Sequence, residues 1–128
     1  MSTSEKTEFD EWFASFYEST GDMTMLVILT AIGEHSVAPL CSTYFHVVGN
    51  ELDWDDLSLM FAGSGQPWDG AAFFPTKAAN GGPVDNPTAR LRMRELETKV
   101  TENRMTLDEA YFFDKQGRKI KIEPVAET

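Results

Sequence analysis

The sequence predicts an α+β fold that is mainly helical. It has about five helices around one core and a small antiparallel β-hairpin in its C-terminal segment. Three observations carry this. Apolar residues recur at helical spacing in two well-separated segments. Residues suited to capping stand before most of the apolar stretches. Only residues 110–123 join an apolar run, a turn and an alternating run, as a hairpin requires. The 128 residues fit a single domain spanning 1–128 and suffice for one real core.

The first helix is expected from Thr7 to Ser19. Phe9, Trp12, Phe13, Phe16 and Tyr17 fall at i, i+3, i+4, i+7 and i+8 and form one stripe, with Asp10, Glu11 and Glu18 off it. Gly21 stops it. Asp22 then suits an N-cap for "MTMLVILTAIG", residues 23–33, which is apolar on every face and reads as a central helix closed by Gly33. Val27, Ile28 and Thr30 also suit a buried strand; length and caps favour the helix. A third helix is expected over 36–50, with Ser36 as cap, Pro39 in the first turn and Gly49-Asn50 as its end.

Asp53 caps the next helix. Asp55 and Asp56 suit its positive dipole end, and Leu57, Met60 and Phe61 face inward. Residues 63–87 form a long Gly/Pro-rich loop in which "AAFFP" can be a short strand. Asn86 and Pro87 open the last helix, where Ala89, Met93, Leu96 and Val100 make a narrow apolar seam. "AYFFDKQGRKIKIE" closes the chain as the hairpin, turning over Asp114–Gly117, with Lys119 and Lys121 on its outer face. Residues 124–128 are expected to fray.

Composition limits function. The net charge is −10, which argues against a nucleic-acid binder that neutralises phosphates. The excess lies in the first half. Residues 1–60 hold eleven acidic residues against Lys6 alone, while residues 61–128 hold ten of each sign. Charge gathered on one part of the surface steers an oppositely charged partner. Cys41 is the single cysteine, which fits a reducing, cytoplasmic setting. The uncharged stretch 23–33 is too short to span a bilayer, so no membrane association is expected.

Motifs with a chemical mechanism are few. His35, Cys41 and His46 are ligand types, but H-x5-C-x4-H matches no zinc spacing. Cys41 has no nearby Lys or Arg to stabilise a thiolate. Asp53, Asp55 and Asp56 lack the glycine and distal glutamate of a calcium loop and are explained by helix capping. "GSGQPWDG" is neither a P-loop nor a dinucleotide fingerprint. No cofactor and no metal is therefore expected. Arg90, Arg92, Arg94 and Lys99 interleave with Glu95 and Glu97 as a solvated helix face does.

The sharpest feature is "FAGSGQPWDGAAFFP", residues 61–75. Trp68, Phe73 and Phe74, with Gln66 and Asp69, are the candidate binding residues. The competing role for these rings is to anchor the loop to the core, because leaving each one in water costs about 2–3 kcal/mol. The expected function is a non-catalytic binding or regulatory module for a protein partner of basic character. The alternative is a small-molecule-binding domain or small enzyme, with a pocket under loop 63–87 and His35 or His46 as acid/base.

Overall fold

The computed structural model of the chain describes residues 6–33 and 37–120. In order it contains α1 (Glu8–Thr20), β1 (Met23–Ile32), β2 (Val37–Val47), α2 (Trp54–Ala62), β3 (Gly70–Thr76), α3 (Asn86–Glu102), a 3-10 helix (Arg104–Glu109) and β4 (Tyr111–Asp114). The strands form one antiparallel sheet in the order β2-β1-β3-β4.

This corrects the expected fold. Among the described residues there are three α-helices rather than about five, and the sheet is built mostly from the N-terminal and central parts of the chain. The two segments expected as helices, 23–33 and 36–50, are instead the strands β1 and β2. The C-terminal hairpin is also corrected. β4 pairs with β3, and within the described residues the return beyond Gly117 makes an isolated bridge, Phe113 to Lys119, and no further strand, with the Ile120 amide donating to Phe112 O. Glu34, His35, Ser36, Lys121 and the tail 124–128 lie outside the described residues.

The reason β1 resembles a helix in sequence is its position. Met23 to Thr30 are all buried, because the strand has a neighbour on each side and a layer on each face. A strand covered on both faces loses the alternation that marks an ordinary strand. One face carries Met23, Met25, Val27 and Leu29, packed with Phe9 and Phe13 of α1 and with Trp54, Leu57 and Phe61 of α2. The opposite face carries Leu26 and Ile28, packed with Met93, Leu96 and Val100 of α3 and with Leu107. The result is three layers: α1 and α2, the sheet, then α3.

Asp22 does not cap a helix. It accepts hydrogen bonds from the Tyr17 hydroxyl (2.5 Å) and the Gly49 amide (3.0 Å), tying the end of α1 to the end of β2. These two bonds, Tyr17 first, hold the Asp22 carboxyl below its usual range. The same bond to Asp22 pushes the Tyr17 hydroxyl up.

The helices follow their caps. Thr7 and Asp10 form a capping box on α1. Asp53 accepts the Asp56 amide at the start of α2. Asp85 accepts the Thr88 amide at the start of α3, where Pro87 occupies the first turn. Hydrogen bonds from Thr88 hold the Asp85 carboxyl below its usual range. The turn at Gly117, with φ +78°, closes against the starts of α1 and α2. Its carbonyl accepts the Phe9 amide at 2.9 Å.

Candidate functional site

The stretch 61–75 resolves into the end of α2, a short loop and β3. Trp68 and Phe73 are 2% and 0% exposed. The Trp68 ring stands edge-on to Phe61 and to Trp54, at 5.4 and 6.3 Å between centroids. Phe73 packs on Phe9 at 5.1 Å. Both rings are core, and they offer no surface to a ligand. Phe74 is half-buried on the opposite face, beside the cluster around Leu26 and Met93. Gln66 and Asp69 are exposed. Asp69 also pins the loop: its amide donates to Thr30 O, and its carboxylate accepts the Ile32 amide. The five residues are thus not brought together on one surface.

The second half of the long loop is pinned as well. The Lys77 ammonium donates to Thr20 O, and the Val84 amide donates to the Thr24 hydroxyl.

Cys41 and His46 both lie on β2, five residues apart, so their side chains point to opposite faces of the sheet. The His46 ring links two elements. Its Nδ1 is 2.8 Å from the Thr24 hydroxyl, and its Nε2 is 2.7 Å from Asn86 Oδ1. The Asn86 oxygen accepts, so Nε2 carries the proton and Nδ1 receives the Thr24 hydroxyl proton. Both partners are neutral, and no carboxylate orients this histidine as a general base requires. Among the described residues, no group of three or more His, Cys, Asp or Glu comes together to hold a metal ion.

Arg92 and Arg118 are engaged within the fold. Arg92 turns toward β3, donating to the Thr76 hydroxyl and to Lys77 O. Arg118 pairs with Asp114 at 2.8 Å. Among the described residues, no helix is long and apolar enough to cross a membrane.

A different site emerges where α1 meets the start of α2. Asp10, Glu51, Asp53 and Asp55 surround a cleft of about 270 Å³, with Lys6 and Asn50 also lining it. Phe13, Ala14 and Leu52 supply its apolar part. Asp10 fixes the geometry. One of its oxygens accepts the Thr7 amide at 3.1 Å, and the other accepts the Trp54 amide at 2.8 Å. One carboxylate thus joins the starts of both helices. Sequence reasoning accounted for Asp53 as a helix cap and Asp55 as a helix-dipole partner and had no signal for the cleft, which exists only once α1 and α2 lie side by side.

Neither a family model, nor a curated protein, nor a solved structure matches this chain. The class it defines is structural: an antiparallel four-stranded sheet between a two-helix layer and a single helix.

Proposed function

We infer that the chain is a non-catalytic binding or regulatory module whose partner is a protein of basic character, received at the cleft between α1 and α2. One observation carries this. Four carboxylates stand around a pocket whose accessible apolar lining comes from Ala14 and Leu52. A lysine or arginine side chain has the matching anatomy. Its aliphatic stem lies along apolar surface while its charged head reaches the carboxylates. Asp10 and Asp53 are committed to backbone amides, so Glu51 and Asp55, both exposed, are the groups that meet the incoming cation. The acidic excess of residues 1–60 adds a field that speeds encounter.

The alternative, a small-molecule site or histidine enzyme under loop 63–87, has weaker support. The rings of that loop fill the core, and His46 faces neutral partners.

The test is a titration of labelled arginine-rich and glutamate-rich peptides of equal length, followed by fluorescence anisotropy. The arginine-rich peptide is expected to bind, and its affinity to fall as salt is added. The double variant Glu51→Lys, Asp55→Lys is expected to lose at least about tenfold in affinity with its circular dichroism unchanged. Undiminished binding by the variant rules out the cleft. Equal response to both peptides rules out a basic partner.

A further inference from the structure

We propose that β2 is the seam of a symmetric dimer, in which a second copy of this chain adds its own β2 antiparallel to the first and makes one continuous sheet. β2 is an outer strand: the sheet order gives it one neighbour, β1. It is eleven residues long and contains no Lys, Arg, Asp or Glu. Edge strands of solitary proteins are usually short, charged or covered, because their open backbone groups pair with other chains. The opposite edge of this sheet follows that rule. β4 has four residues and is flanked by the 3-10 helix and by the turn bearing Arg118 and Lys119. On β2 the guards sit toward one end, as Pro39 and a bulge at Leu40. From Cys41 to Phe45 the strand carries no such device, and each of these residues is half-buried.

The helix beside this edge selects the occupant. α3 runs antiparallel to β2, with Asn86 at His46 and Glu97 at Ser42. Arg90, Met93 and Arg94 line the groove beside Tyr44, Val100 and Thr101 line it beside Pro39 and Cys41, and Glu97 borders both parts. Positive charge thus lies toward one end of the groove. Glu102 lies toward the other, and Glu97 stands between them at Ser42. A two-fold axis at Thr43 reverses one copy against the other. It sets Arg94 of each chain opposite Glu97 of its mate. Along the strands it pairs Thr43 with Thr43, Ser42 with Tyr44 and Cys41 with Phe45, each pair on one face of the sheet. An axis at Tyr44 would instead bring Arg90 of each copy beside Arg94 of its mate. Charge therefore favours both a second copy over an unrelated strand and this register over its neighbour. The helix beside this seam does not share the acidic excess of the chain. α3 holds four cationic residues against three anionic ones.

The experiment is sedimentation velocity with light scattering on the full chain, over roughly a hundredfold range of concentration. Wild type is expected at twice 14.4 kDa. Thr43→Lys places like charges face to face on the axis and is expected to weaken the dimer by at least about tenfold. Arg94→Glu and Glu97→Arg, each alone, are expected to do the same, while an equimolar mixture of the two restores the dimer. Thermal melts of the monomeric variants check that the fold survives. If Thr43→Lys unfolds the chain, the two charge variants still decide. Wild type that stays monomeric throughout overturns the proposal. So does a dimer indifferent to all three substitutions, or a mixture of charge variants that fails to associate.

Discussion

The two faces of the sheet are filled by different chemistry. Toward α1 and α2 the core is aromatic, with Phe9, Phe13, Trp54, Phe61, Trp68, Phe73 and Phe113 in one network. Toward α3 it is chiefly aliphatic, with Leu26, Ile28, Met93, Leu96 and Val100. The aromatic side must hold down two helices and the loop before β3, which together present a broad, uneven surface. Large rings in tilted and edge-on contact fill such spaces and gain attraction beyond their buried area. The aliphatic side seats one helix, for which a narrow seam of branched side chains is enough. The teaching is that the conspicuous Trp and Phe residues of this chain serve attachment.

The contrast is broken most directly by truncating one residue on each side. Trp68→Ala is expected to lower unfolding free energy by about 3–5 kcal/mol in urea titration, because the loop has no other ring of that size to fill the gap. Leu96→Ala, slightly exposed at 8%, is expected near the lower end of about 2–5 kcal/mol. A larger loss for Leu96→Ala would make the aliphatic face the principal support. Next in size is Gly117→Ala. Its added Cβ would lie 2.9 Å from Thr7 Cβ and 3.0 Å from Trp54 Cδ1, at a left-handed φ. The strain and crowding are expected to cost about 1–3 kcal/mol, read as a lower midpoint at unchanged denaturant slope.

The smallest effect is at the polar margin of the aromatic side. Tyr17→Phe removes the main bond that depresses the Asp22 pKa. A depressed carboxylate stabilises the fold above its unfolded value of about 3.9 and loses that contribution as pH falls through the folded value. The gap between wild type and Tyr17→Phe is therefore expected to be full at pH 6 and to close progressively below about pH 4. At alkaline pH the raised Tyr17 contributes in the opposite sense. Its stabilisation is present below the ordinary tyrosine range and fades as pH rises through the folded value. A gap independent of pH would show that the bond does not couple to titration.

The helices were legible because each announces itself twice, by spacing and by cap. α1 begins one residue from its expected start, and Asp53 and the Asn86-Pro87 pair mark α2 and α3. The strands were not, for two physical reasons. β1 is buried on both sides, so its sequence is as uniformly apolar as a central helix. β2 contains Pro39 and precedes Gly49-Asn50, which imitate the punctuation of a helix, although the proline sits beside a bulge at the sheet edge. The retrievable signal was composition: Val37, Thr43, Tyr44, Phe45 and Val47 all favour strands, as do Val27, Ile28 and Thr30. The cleft was beyond reach from sequence. Leu52 and Phe13 are far apart along the chain and meet only through the side-by-side placement of α1 and α2.

The central position of β1 has a consequence for how the molecule opens. With a strand on each side and a helical layer on each face, the amides of Met25 to Leu29 have no local route to solvent. Fraying of a terminus or detachment of one helix leaves them protected, so only rupture of the entire assembly lets them exchange with deuterium. The slowest-exchanging amide protons are expected in this strand, where their rate would measure the free energy that separates the native form from its fully opened state.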